Sequence, residues 1–321
     1  TSITILFKIS KMEVLMRQIT SINADWIFIK ENISADNAIT SKGDKVNIPH
    51  TWNNLDGQDG GGGYIRDKFW YRKGLDLEVK ENKKYFIEFE GVSCIANVYV
   101  NGTHVGEHIG GFSTFRFDIT DHLQTGKNTI LVEADNTVNS KTYPQVADFT
   151  FFGGMYRSVN IIEVEEVHFD LEYCGAPGIQ ITPVLNENGT CDINVKSFVS
   201  NLVKNLTIKY AIFDAENNLV LEDTPSTITE TNLTMENPHL WNGIEDPYLY
   251  RAVATLYLND VAIDEVSANF GVRSFEVDPN KGFILNGKPY SLRGVSRHQD
   301  RQDMGWALTT KEHDEDMELI R

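Results

Sequence analysis

Asn97-Val98-Tyr99-Val100 runs straight into Asn101-Gly102, and Thr103-His104-Val105 continues on the far side. Asn-Gly between two β-favouring runs is the strongest short hairpin signal, because both central residues of a type I′ turn need φ > 0. Working outward, Tyr85, Ile87 and Phe89 alternate with Phe86, Glu88 and Glu90 on the upstream side. Downstream, Phe115, Phe117 and Ile119 alternate with Arg116, Asp118 and Thr120, and Thr129–Ala134 follows a turn at Thr125-Gly126-Lys127-Asn128. Alternation of this kind is the signature of half-buried strands, and no long stretch between Trp26 and Val164 carries the helical 3.6-residue period. The expected fold for this part is an antiparallel β-sandwich of jelly-roll type.

Two loops interrupt that regularity: the glycine-rich Leu55–Gly63 and the long Asn136–Gly154, which carries Tyr143-Pro144 and Phe149-Thr150-Phe151-Phe152. A loop of the second length inside a compact domain is usually functional or disordered, and its aromatic residues argue for function. A second β block follows. Ile193–Asn201, Thr207–Phe213, Leu219–Glu222, Leu249–Leu258 and Ala262–Gly271 read as strands at the spacing of an immunoglobulin-like sandwich. The last stretch changes character. Asp278–Gly287 reads as a hairpin around Asn286-Gly287, Tyr290–Val295 as a strand, and Thr309-x-x-Glu312 as a capping box opening a helix over Lys311–Arg321. Strand, loop and an uncompleted helix are the opening of a βα repeat.

The 321 residues suit two domains and part of a third at roughly 100–200 residues each. Lys plus Arg number 29 against 46 Asp plus Glu, a formal charge of −17, which excludes nucleic acid and anionic membrane surfaces as partners. No apolar run is long enough for a membrane span. The start, Thr1–Ile9, lacks the basic residues and cleavage site of a signal peptide. Cys94, Cys174 and Cys191 cannot all pair with one another and form no CxxC, so neither a disulfide framework nor zinc is expected. The expected setting is soluble, in bacterial cytoplasm or periplasm. GxSxG, Walker A, HExxH and GxGxxG patterns are absent. The cluster His298-Gln299-Asp300-Arg301-Gln302-Asp303 reads as a polar loop rather than a metal site.

Several separate stretches resemble the N-terminal part of a glycoside hydrolase family 2 enzyme of β-galactosidase type. Ile48-Pro49-His50-Thr51-Trp52-Asn53, Phe69-Trp70-Tyr71-Arg72-Lys73, Gly110-Gly111-Phe112 and Phe152-Gly153-Gly154-Met155-Tyr156-Arg157 resemble motifs of its sugar-binding domain. Asn237-Pro238-His239-Leu240-Trp241 and Asp246-Pro247-Tyr248-Leu249-Tyr250 resemble those of its immunoglobulin-like domain. Phe270–Arg273, Leu285–Pro289 and Leu292–His298 resemble the entry into its catalytic barrel. The likeness runs in family order from about Asp25 to Arg321. It divides the chain into an N-terminal extension (1–24), a jelly-roll sugar-binding domain (25–164), an immunoglobulin-like domain (165–273) and the start of a (β/α)8 barrel (274–321).

The resemblance implies a retaining β-glycosidase that uses two glutamates, one as acid/base and one as nucleophile. Both belong to later barrel strands, so no catalytic residue is assigned in this chain. Glu312, Glu315 and Glu318 fall on the first barrel helix, away from the strand ends where barrel chemistry occurs. By resemblance His298 bonds a sugar hydroxyl and Arg293 orients the missing carboxylates, although a structural Arg–carboxylate pair competes for Arg293. Asp148 corresponds to an aspartate that reaches the sugar and, in some members, sodium; an Asx turn is its alternative role. Asp59 is a weaker candidate of the same kind. Ser296 stands where the family usually has Asn. Trp52, Trp70 and Trp241 read as core rather than stacking platforms.

The implied parent hydrolyses terminal β-D-galactosides, with β-glucuronidase, β-mannosidase, a free-standing carbohydrate-binding module and a structural, oligomer-forming role as alternatives. Carbohydrate is the expected partner and a homo-oligomer is an open expectation. No cofactor is expected in this chain, whereas Na+ or Mg2+ is an expectation for the parent.

Overall fold

Asn101 and Gly102 both adopt the left-handed backbone, with φ of 49° and 84°. Val100 pairs directly with Thr103 across them, so the two-residue turn closes as the dipeptide dictates. The structure, a computed structural model, describes residues 16–57, 63–144 and 147–321. The first domain holds β1 (Gln18–Ser21), β2 (Trp26–Ile29), β3 (Asp44–Val46), β4 (Lys68–Leu77), β5 (Lys83–Phe89) and β6 (Val92–Ser93). It continues with β7 (Ile95–Val100), β8 (Thr103–Ile109), β9 (Phe115–Asp118), β10 (Gly126–Asp135), β11 (Gly154–Met155) and β12 (Val159–Glu165). The sheet β3-β2-β4-β10-β7-β8 and the sheet β1-β12-β5-β9 share one core. Phe28, Tyr71, Val98 and Val132 meet Tyr85, Ile87, Phe89 and Ile161 inside it. The first strand falls within the stretch expected as an extension, and it pairs along β12.

Period two explains which side chains go where. Phe69 and Tyr71 point into this core, while Trp70 between them packs with Ile29 and Leu131 against Ala38 of the short helix α1 (Ala35–Ala38) on the outer face. The second domain comprises β13 (Ile179–Leu185), β14 (Cys191–Ser197), β15 (Leu206–Phe213), β16 (Leu219–Glu222), β17 (Glu230–Met235), β18 (Tyr250–Leu258) and β19 (Val261–Phe270). Sheets β13-β14-β17 and β16-β15-β18-β19 form its sandwich. Sequence reading omitted β13 and β17, whose side chains, apart from the buried Ile179 and Met235, alternate between exposed and half-buried.

Two guanidinium groups fasten the domains together. Arg116 bonds Glu88 at 2.6 Å within the first sandwich and reaches the carbonyls of Leu171 and Ala176 at 2.8 and 3.0 Å. Arg17, just ahead of β1, reaches the fully buried Asp264 of β19 at 2.8 Å, and Asp264 also accepts the Phe169 amide.

After β19 a small sheet forms from β20 (Phe275–Asp278), β21 (Gly282–Leu285) and β22 (Lys288–Pro289), turning at Asn286-Gly287 with φ of 49° and 75°. The strand expected over Tyr290–Val295 is absent. No ladder among the described residues receives it, and Leu292 and Val295 are each 70% exposed. A strand is stabilised by its neighbours, and a parallel barrel strand needs one on each side, so pattern alone does not form it. Helix α2 (Thr310–Ile320) does form, with the Thr309 amide donating to the Glu312 carboxylate at 2.8 Å. Trp241 is also a correction: it is half-buried, with the Arg273 guanidinium 4.6 Å from its ring centroid.

Candidate functional site

The long loop after β10 is held by two buried amides. Asn136 donates to the Phe151 carbonyl at 2.8 Å and receives the Asp67 amide on its own oxygen at 2.9 Å. Asn53 donates to the Ile65 carbonyl at 2.8 Å and accepts the Gly153 amide at 2.9 Å. Buried side-chain amides used at both ends fix backbone that has no ladder of its own. Trp52 packs so closely on Gly153 that an added Cβ would sit 2.0 Å from the indole. The adjoining His50 bonds the Tyr71 hydroxyl at 2.7 Å, and burial pulls its pKa down to about 4. The motifs around residues 48–53 and 152–157 are therefore the two halves of one joint.

The C-terminal segment docks on the same joint. Thr51 donates to the Met304 carbonyl at 3.3 Å, and Asn54 to the Asp303 carbonyl at 3.2 Å. Gly305 takes φ of 57° and lies so close to Phe152 that a Cβ would meet the ring at 2.5 Å. Trp306 is thereby inserted among Phe152, Tyr156 and Phe112, with ring centroids 5.5, 5.2 and 5.7 Å away. Arg297 and Arg301 tie the segment back to helix α2 through Asp316, whose carboxyl they hold below its usual range. Arg301 also pairs with Glu315 at 2.6 Å.

Between the docked segment and the aromatic loop lies a cavity of about 460 Å³. Asp148, Phe149 and Tyr156 line it from the sandwich, and His298, Gln299, Asp300 and Trp306 from the C-terminal segment. The structure thus brings Asp148 and His298, which are 150 positions apart, to one cavity. The His298 ring stands edge-on to Phe149 at 6.3 Å. Ser296 is also on the wall. Arg293 is exposed and does not line this cavity. Asp59 lies outside the described residues.

The aromatic wall of Phe112, Tyr156 and Trp306, together with Gln299 and Asp300, was not among the expected site residues. The Gly305-Trp306 pair, an isolated indole in a polar stretch, is the signal that could have pointed there. Carboxylates, an imidazole and an amide over aromatic faces are suited to binding a sugar, whose hydroxyls need hydrogen bonds and whose C–H faces pack on rings. Asp148 and Asp300 are the acidic residues lining the cavity. No group of three or more His, Cys, Asp or Glu side chains able to hold a metal occurs among the described residues.

Comparison with known proteins gives the family. Residues 62–157 match the model described as glycosyl hydrolase 2 galactose-binding domain-like, and residues 177–273 match that of glycosyl hydrolases family 2. The chain belongs to glycoside hydrolase family 2. It corresponds to an N-terminal portion of such an enzyme. A β-glucuronidase of Bacteroides fragilis is 34% identical over 95% of this chain and 45% of its own length. A β-galactosidase of Thermoanaerobacter pseudethanolicus is 28% identical over 95% of this chain and 42% of its own length. Among solved structures, an FMN-binding β-glucuronidase from Faecalibacterium prausnitzii L2-6 superposes with a TM-score of 0.88 at 40% identity, over 95% of this chain and 47% of that one. The chain thus spans less than half the length of each of these family 2 relatives. No helix among the described residues is long and apolar enough to cross a membrane.

Proposed function

We propose that this chain supplies one wall of the sugar pocket of a retaining β-glycosidase, whose acid/base and nucleophilic glutamates lie outside it. The observation that carries this is the shared cavity of Asp148 and His298, from domains that the sequence separates. In the full enzyme His298 and Asp148 hydrogen-bond sugar hydroxyls, and Arg293 turns toward carboxylates on later strands. This chain alone is inactive, since retaining hydrolysis needs two carboxyl groups about 5–5.5 Å apart across the scissile bond.

The favoured substrate is a terminal β-D-galactoside. Asp148 and Asp300 face the cavity, and its one lining arginine, Arg297, is already paired with Asp316. A wall with two carboxylates and a neutralised arginine suits a neutral sugar better than a uronate. β-Glucuronide is the second reading, because the β-glucuronidases named above are the more similar relatives. The test is to assay this chain beside the protein encoded by the reading frame continued past Arg321, on nitrophenyl β-D-galactoside and β-D-glucuronide. The expected result is turnover by the longer protein only, with galactoside preferred. Turnover by this chain alone would remove the missing-glutamate argument, and a longer protein inert on every β-glycoside would replace the hydrolase with a binding module.

A further inference from the structure

We propose that a cleft on the second domain binds a neutral saccharide, at a site separate from the cavity that Asp148 and His298 share. The cleft, about 470 Å³, lies where the turn between β15 and β16 meets the loop that leads into β18. That volume falls within the roughly 300–1,000 Å³ of small-molecule sites. None of its lining residues lines the cavity described above, and all of them belong to the second domain. The proposal stands on these residues alone and does not rest on the glycosidase reading.

Its walls are tied in place from both sides. On the loop, His239 donates to Asp246 at 2.6 Å and stacks on Tyr248, with ring centroids 3.9 Å apart and planes within 5° of parallel. The Tyr248 hydroxyl accepts the Ala215 amide of the facing turn at 3.3 Å. In that turn Asp214 accepts the amides of Glu216 and Asn218 at 3.0 and 2.7 Å. On the sheet, Arg251 of β18 and Asn269 of β19 are direct cross-strand partners, so their side chains share a face. The Arg251 guanidinium lies 4.8 Å from the Phe213 ring centroid and donates to Asn217 at 3.2 Å. Its other N–H groups, and the Asn269 side-chain amide, have no hydrogen-bond partner among the described residues. Guanidinium and amide donors beside carboxylates, with a tyrosine ring in the same wall, match a sugar, whose hydroxyls donate and accept at once and whose C–H faces pack on rings. An apolar ligand would cover those donors and leave them unpaired, which is costly. Asp214 and Asp246 outnumber the one lining cation, Arg251, so the cleft favours a neutral saccharide over a uronate.

The cleft is built wholly from this chain, so it can be tested without turnover. Titration of the isotope-labelled chain with lactose, followed by amide NMR shifts, is expected to move residues 214–217, 246–251 and 269 together, with one Kd on the order of a few millimolar. Asn269→Ala and Arg251→Lys should each weaken this binding by about fivefold, the first by removing the amide and the second by replacing the fork with a point charge. Asn269 is exposed and its side chain has no partner, so its variant should fold as the parent does. His298→Ala, in the other cavity, should leave the shifts at the cleft unchanged. Glucuronate should bind there more weakly than lactose. Absence of saturating shifts at these residues, their loss in His298→Ala, undiminished binding in both cleft variants, or tighter binding of glucuronate would each overturn the proposal. Because no hydrolysis is measured, its failure is separable from failure of the glycosidase reading, which turnover by the longer protein decides.

Discussion

His50 makes the first domain sensitive to acid in a calculable way. Its ring is packed against Phe28 and Tyr71, 4.9 and 5.6 Å between centroids, and burial moves its pKa from 6.5 to about 4. The folded protein thus keeps the imidazole neutral where the unfolded chain would protonate it. Above pH 6.5 both states carry neutral rings and the stability is whole. As pH falls from 6.5 toward 4 the unfolded state takes up the proton first, so stability is lost across that window and levels off below it. At 1.36 kcal/mol per pH unit the full loss is about 3 kcal/mol, of which about 2 kcal/mol is spent between pH 7 and pH 4.5. Burial also lowers His108 and His168, so they add to the slope in the same direction.

The perturbation is His50→Gln, which keeps a polar partner for the Tyr71 hydroxyl and removes the titration. Urea unfolding of both proteins, followed by tryptophan fluorescence at half-unit steps from pH 7 to pH 4.5, isolates the residue because every other group cancels. The variant is expected to be less stable at pH 7, through lost packing, and to lose about 2 kcal/mol less than the parent on acidification. Parallel stability curves across that range would refute the argument, since they would mean that His50 titrates alike in both states.

The Asp264 carboxylate is fully buried and accepts from Arg17 and the Phe169 amide, so Asp264→Ala should cost about 3–5 kcal/mol by stranding the guanidinium. Chemical denaturation reads that loss, and a change under 1 kcal/mol would count against the clamp between domains. Trp306→Ala should release residues 297–306 from the first sandwich, at a local cost of about 3–5 kcal/mol. Trypsin would then cut after Arg297 and Arg301 faster, while exchange protection of β4 and β10 stays unchanged.

Local chemistry sufficed wherever neighbours in sequence are also partners in space. Asn101-Gly102 and Asn286-Gly287 both turn with positive φ, and Thr309 with Glu312 opens helix α2. Alternation located β5 and β9, and β15 shows the same two-residue period in its burial, as a sandwich strand with one wetter face requires. It did not locate β13 or β17, where Ile179 and Met235 are buried but the other inward residues are half-covered and leave a weak pattern. It also overstated Tyr290–Val295, since six residues of strand-like composition do not pair with themselves.

The site divides along the same line. The motifs named Asp148 and His298 individually, and no spacing rule joins positions 150 residues apart. What joins them is tertiary: Asn53 and Asn136 shaping the aromatic loop, Gly153 admitting Trp52, and Gly305 letting Trp306 drop against Phe152. The sequence alone determined most of the strands, the tight turns and the family. The cavity and its aromatic wall arise only when the C-terminal segment docks, because hydrogen bonds and ring contacts between distant residues leave no periodic trace in the chain.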